Sequence, residues 1–251
     1  MLSVHSFKKL AASAALLSIA ALSSPASAYQ IFFGEDLSSS SSTPLGSTPN
    51  ADNARSQFLN VLSGVGTENF EGFSSGTGGP LALNFPGAGT ATLSGGGGNV
   101  VSQAVGTASF GRYGTSGTNF WEVAAGGSGN FVVDFSSNVG AFGFYGIDIG
   151  DFGGQLQIQL NDTANTILTV NNTVGSGGST DGSVLFFGIV AESAAEEFTQ
   201  ASFLTTTGGG DVFAFDDMTV GSLAQVVPEP MTLATLGVGI AGIAAFRRYK
   251  A

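Results

Sequence analysis

From about residue 65 to residue 220 the chain alternates short β-branched and aromatic runs with glycine-rich breaks. The runs fall at 81–85, 90–93, 100–105, 130–135, 139–145, 155–160, 166–170, 183–190, 198–205 and 212–220. Strand-sized segments at this spacing predict an all-β sandwich of the jelly-roll kind. Gln155-Leu156-Gln157-Ile158-Gln159-Leu160 alternates strictly, which puts Leu156, Ile158 and Leu160 on one buried face, and Phe131, Val133 and Phe135 repeat the alternation. Upstream, Ala51, Ala54, Phe58, Leu59 and Leu62 recur at helical spacing. They predict one short amphipathic helix capped by Asn50 and closed by Gly64. Residues 37–49, rich in Ser, Thr and Pro, read as a linker or loop. The breaks at 95–98, 175–178 and 208–210 are turns, since no Lys and no helix signal follows them as a phosphate loop requires.

Two apolar segments of a different kind stand at the ends. Lys8 and Lys9 precede the run 10–22, and Ala26-Ser27-Ala28 offers small residues before Tyr29, the pattern of an export signal cut by signal peptidase. At the other end Pro228-Glu229-Pro230 precedes an apolar run, 231–246, and then Arg247-Arg248-Tyr249-Lys250. That run is short against the ~20 residues of a straight spanning helix but within reach of a thin membrane. The basic cluster Arg247, Arg248 and Lys250 stays cytoplasmic, which leaves everything before Pro228 on the outer side. In this order the three parts resemble the PEP-CTERM class of bacterial surface proteins. The resemblance implies processing at Pro228, Glu229 and Pro230 by an exosortase-like membrane enzyme, transient anchoring through a C-terminal single membrane helix, and release or transfer of the body to the cell surface. The expected organisation is a signal peptide at 1–28, an N-terminal segment with linker and helix at 29–64, a β-sandwich at 65–225 and a sorting tail at 226–251.

Charge narrows the partners. Five of the seven basic residues flank the apolar ends, so a product from Tyr29 to Pro230 carries only Arg55 and Arg112 against eighteen acidic side chains, a balance of −16. Nucleic acid, which needs clustered Lys or Arg, is excluded as a partner, and cations are favoured. There is no cysteine, so the core must be held by packing alone. A body of about 200 residues can do this as one domain.

The same charge and composition restrict chemistry. His5 is the only histidine, and no lysine lies between Lys9 and Lys250. Imidazole- and thiol-based nucleophilic catalysis and histidine zinc sites are therefore absent from the body. A carboxylate pair, as in glycoside hydrolysis, is the one enzymatic option, and no motif marks such a pair.

The stretch Ala141-Phe142-Gly143-Phe144-Tyr145-Gly146-Ile147-Asp148-Ile149-Gly150-Asp151-Phe152-Gly153-Gly154 and the closing Phe215-Asp216-Asp217-Met218-Thr219-Val220 resemble a recurring passenger domain of PEP-CTERM proteins. That likeness implies a displayed jelly-roll-like sandwich and carries no chemistry with it. Asn69-Phe70-Glu71-Gly72 near the first sandwich strand and Phe215-Asp216-Asp217 in the last resemble the two ends of jelly-roll carbohydrate-binding modules, where a structural calcium sits. Glu71 with Asp216 or Asp217 is the first candidate calcium site. Asp217 shares parity with Phe213 and Phe215 and is expected to point inward. Asp148 and Asp151 form a second candidate, against the plainer reading of a turn capping a strand. Trp121 and Tyr113, in a Gly/Ser/Thr-rich stretch, are the candidate carbohydrate contacts, against a core role for a lone tryptophan.

Three functions stay open at this point. The first is a non-enzymatic structural or adhesion protein of an exopolysaccharide or biofilm matrix. The others are a calcium-stabilised carbohydrate-binding module and a carboxylate-based glycan hydrolase.

Overall fold

Two antiparallel sheets face each other, and their order along the chain explains where the polar clusters end up. The computed structural model describes residues 29–125, 130–207 and 210–223. The expected export signal at 1–28, Pro228, Glu229, Pro230, the expected membrane helix, Arg247, Arg248 and Lys250 lie outside the described residues. Among the described residues no helix is long and apolar enough to cross a membrane.

The first sheet runs β1 (Tyr29–Asp36), β11 (Val184–Ala191), β8 (Ala141–Ile147), β13 (Asp211–Leu223), β6 (Asn119–Ala125), β5 (Asn99–Ser102), with β2 (Leu62–Glu68) also on β13. The second runs β10 (Ile167–Thr169), β9 (Leu156–Leu160), β12 (Phe198–Thr205), β7 (Phe131–Val139), β4 (Gly89–Gly95), β3 (Leu81–Phe85). This is the jelly-roll-like β-sandwich that the spacing of runs predicts. The alternation in β9 buries Leu156, Ile158 and Leu160 and leaves Gln157 and Gln159 partly exposed. In β7 it buries Phe131, Val133 and Phe135.

Aromatic rings fill the space between the sheets. Phe131 stacks on Phe203 with ring centroids 4.0 Å apart, and Phe215 meets both at 5.1 Å. Edge-to-face and offset pairs of this kind add roughly 0.5–1.5 kcal/mol each beyond the area they bury. Trp121 is fully buried in the same core. Gly98 lies flat over its ring, for a Cβ at that position would sit 2.7 Å from Trp121 Cζ2.

The first sheet is covered on its outer face as well, so β8 and β11 are buried at every position and read as unbroken apolar runs. The cover is α1 (Pro49–Asn60), whose Ala51, Ala54 and Phe58 are buried. Phe58 rests on the paired glycines Gly143 and Gly188, where a Cβ would come within 3.1 Å and 2.7 Å of the Phe58 ring. Phe32 and Phe186 close around it at 5.8 Å and 5.5 Å.

The helix starts and ends earlier than its periodicity predicts. Asn50 is inside it, and its first N–H groups are satisfied from elsewhere: Asp36, at the end of β1, accepts from Asn50 N at 3.0 Å and Ala51 N at 2.9 Å. A carboxylate at this end also favours the helix dipole. Leu62 and Gly64 belong to β2, where the pairing with β13 slips by one residue between Val220 and Ser222. Gly64 thus serves a strand irregularity at φ +60° and not a helix end.

Candidate functional site

The site grows out of the way β13 shares one of its edges. Its first half pairs with β6, from Asp211↔Ala125 to Phe215↔Trp121, and its second half with β2, from Met218↔Glu68 to Leu223↔Leu62. Between the two partners lie Asp216 and Asp217, where the register with β8 on the opposite edge also shifts. Asp217 sits at φ +47°, a left-handed conformation that aspartate tolerates better than most residues. This irregularity cancels the parity argument for Asp217. Asp216 is the fully buried carboxylate and Asp217 is only partly buried.

Both carboxylates reach the segment that precedes β6. Asp216 Oδ2 accepts from Thr115 N at 2.8 Å, Thr115 Oγ1 at 3.0 Å and Ser116 N at 3.0 Å, while Oδ1 accepts from Asp217 N at 2.7 Å. Asp217 Oδ1 accepts from Ser116 Oγ at 2.8 Å. Glu71, just beyond β2, accepts from Thr118 N at 2.7 Å and Asn119 N at 2.6 Å through Oε1. The first expected strand, 81–85, is β3 at the edge of the other sheet; it is β2, not predicted from the run spacing, that pairs with β13 and brings Glu71, Asp216 and Asp217 to one loop. Their oxygens there face N–H and O–H donors, and among the described residues no group of three or more acidic or histidine side chains is placed to hold a metal ion. Burial holds Asp216 well above the usual carboxylate range, and the neighbouring Asp217 charge adds to this against the bonds from Ser116, Asp217 and Thr115.

The second acidic candidate is also tied internally. Asp148 is 2 % exposed, sits at φ +65° and accepts from Arg112 Nη1 at 3.2 Å, leaving Oδ1 buried without a partner. Burial pushes its pKa up to about 7, opposed by Arg112 and reinforced by Asp181 and Asp151. Asp151 accepts from Gly178 N at 2.7 Å. Arg112 also donates to Glu122 at 2.7 Å, and the two carboxylates outweigh the burial of its charge, so its pKa stands above its ordinary value. Arg112 thus fixes the near end of the loop that Asp216 and Glu71 fix at the far end.

Of the two aromatic candidates, Trp121 is excluded from ligand contact by its complete burial. In β6, Phe120 faces the helix-side core and Trp121 the inter-sheet core, as strand alternation requires. Tyr113 is 6 % exposed and bridges two loops: its hydroxyl donates to the Gly182 carbonyl at 2.9 Å and accepts from Leu45 N at 3.1 Å.

Tyr113 lies at the base of a cleft of about 260 Å³ between the 44–48 loop and the 103–117 loop. Pro44, Leu45 and Thr48 form one wall, Gln103 to Thr107 the other, and Val184 with Gly114, Thr115 and Gly117 completes the lining. No charged side chain lines it. Gln103 Nε2 donates to Thr107 Oγ1 at 2.6 Å, which in turn donates to the Ala104 carbonyl at 2.6 Å, so the outer wall braces itself. Val105, at 78 % exposure, stands at its tip. Nothing in the sequence singles out Leu45, Thr48, Gln103 or Thr107, because loop residues brought together only by tertiary contacts leave no periodic signal.

The comparisons with known proteins bear on the C-terminal segment more than on the cleft. Residues 226–248 match the PEP-CTERM protein-sorting motif. No curated protein matches the chain. Among solved structures, the K2 cleaved adhesin domain of Lys-gingipain aligns at 14% identity and TM-score 0.37, over 62% of this chain and 97% of that one. The K3 cleaved adhesin domain from Porphyromonas gingivalis gives 13% identity and TM-score 0.34 over 62% and 97%. The family 11 carbohydrate-binding module of the cellulosomal cellulase Lic26A-Cel5E of Clostridium thermocellum gives 12% identity and TM-score 0.31 over 65% and 99%. At these scores the likenesses say nothing of ligand or activity. The sorting motif begins directly after the last strand of the sandwich, and the chain is an exported surface protein in which a β-sandwich passenger carries a PEP-CTERM sorting signal.

Proposed function

We propose that the body is a non-catalytic structural or adhesion module of an extracellular polysaccharide matrix, delivered there when signal peptidase removes residues 1–28 and an exosortase-like enzyme cuts at Pro228-Glu229-Pro230. The observation that carries this reading is the sorting motif at 226–248 set directly behind a sandwich that ends at Leu223. Two further features agree with it. The body has no histidine, cysteine or lysine side chain. The carboxylates it gathers, Glu71, Asp216 and Asp217, are bonded to a loop instead of flanking an open space in which a glycosidic bond could lie. A strongly acidic surface keeps such a module soluble among anionic and neutral polymers.

The test is intact-mass analysis of the protein recovered from its own cells and medium, with and without the exosortase-like enzyme, followed by co-sedimentation with the extracellular polysaccharide of those cells. The expected product starts at Tyr29, ends near Pro230 and sediments with the polysaccharide. A chain that keeps residues 231–251 in the membrane fraction of normal cells would overturn the sorting route, and a processed chain that stays wholly in the supernatant would overturn the matrix role.

A further inference from the structure

We infer that the cleft between the 44–48 and 103–117 loops is a binding site for a single uncharged pyranose unit of a polysaccharide, an inference that rests on the matrix reading above. Size sets the first limit. About 260 Å³ falls just under the roughly 300–1,000 Å³ typical of drug-sized sites, so the cleft takes one ring and not a run of sugars.

Chemistry sets the second. A pyranose presents an edge of hydroxyls and a face of C–H groups. The cleft offers both kinds of partner: Thr48, Gln103 and Thr107 with backbone amides of the glycine-containing wall, and the apolar surfaces of Leu45 and Val105. Charge sets the third limit. The lining is uncharged, while the exposed carboxylate of Glu71 is bonded to Thr118 just beyond it. A uronate or sulfated sugar would meet that carboxylate and the formal −16 balance of the body.

The site is also pre-formed. Tyr113 ties the inner wall to Leu45, Asp216 ties Thr115 and Ser116 to the sheet, and the Gln103–Thr107–Ala104 chain of bonds holds the outer wall, so little conformational entropy is lost when a sugar enters. One ring gives a weak contact, which many copies displayed on one surface convert into adhesion by avidity.

Affinity electrophoresis tests this with the processed protein run through gels carrying dextran, galactomannan, laminarin, alginate, polygalacturonate or the extracellular polysaccharide of its own cells. The expected result is retardation by at least one neutral polymer and none by alginate or polygalacturonate. Ala104→Trp, which fills the cleft from an exposed loop position, is expected to weaken retardation at least tenfold, and Gln103→Ala severalfold. Gln159→Trp, on the solvent face of the second sheet, is expected to leave it unchanged. If Ala104→Trp and Gln103→Ala are both retarded like the wild type, the cleft assignment falls while the matrix reading stands. Stronger retardation by the uronate gels overturns the uncharged-ligand assignment. If no gel retards the wild type, its own polysaccharide included, the matrix reading and the cleft assignment fall together.

Discussion

Asp148→Asn offers a direct measure of what the buried carboxylates cost the fold. Asparagine keeps the size of the side chain, keeps an oxygen for Arg112 Nη1 and accepts φ +65° as readily as aspartate. It removes the charge and sets an NH2 group in place of Oδ1, which has no partner to lose. With a pKa near 7 in the folded chain against 3.8 for the free group, Asp148 holds its proton about three units longer folded than unfolded. The folded state therefore binds more protons between those two values. Stability from this group is fully present below about pH 4 and is lost as pH rises through 7. At about 1.4 kcal/mol per unit the whole loss is on the order of 4 kcal/mol, of which roughly 2–3 kcal/mol falls between pH 5 and pH 8. Relaxation around the buried charge makes this a ceiling. Urea melts of wild type and Asp148→Asn, run at pH 5 to 8 with chelator present, should show wild type losing stability toward pH 8. The variant should lose on the order of 2 kcal/mol less. Identical pH slopes for the two proteins, or a wild type that gains stability toward pH 8, would refute the account of Asp148 as an ionisable group held out of water.

Three more outcomes follow from the packing. Gly188→Ala places a methyl 2.7 Å from Phe58 Cδ2 and should lower the denaturation midpoint by an amount equivalent to about 1–3 kcal/mol, partly restored by pairing it with Phe58→Leu. Trp121→Ala should cost about 3–5 kcal/mol through the cavity it leaves, yet the fraction that stays folded should bind polysaccharide as wild type does; selective loss of binding in the folded fraction would contradict its core placement. Asp216→Ala leaves the Thr115 and Ser116 N–H groups without their acceptor, so their hydrogen-exchange protection should fall well before that of β13.

The sequence made the sheet-forming segments and their buried faces legible wherever alternation was strict, as in β9 and β7, or where a turn bounded an apolar run, as in β3. It hid β1, β2 and β6. Gly34 interrupts β1, Gly64 and Gly66 thin out β2, and β6 follows a polar loop with no break that would separate the two. The helix was visible through Ala51, Ala54 and Phe58, but its cap was not, because Asp36 arrives from a different element. The acidic site was half legible. A meeting of early and late strands could be argued from the chain, but the early strand that brings Glu71 to the loop of Asp216 and Asp217 is β2, which the sequence hid. Which aspartate is buried depended on one irregular residue, Asp217, whose backbone leaves the two-residue period. The cleft was invisible, since its walls are loops 60 residues apart that only the fold makes neighbours.

The placement of β13 has a mechanical consequence. The strand that leads into the sorting motif is a central strand, hydrogen-bonded to β8 along one edge and to β6 and β2 along the other. A pull applied through the tail enters the sandwich along this strand. Drawing β13 out requires the ladders on both its edges to shear together, whereas an edge strand would peel one bond at a time. The domain therefore takes any load from its tail where β13 is held on both edges at once.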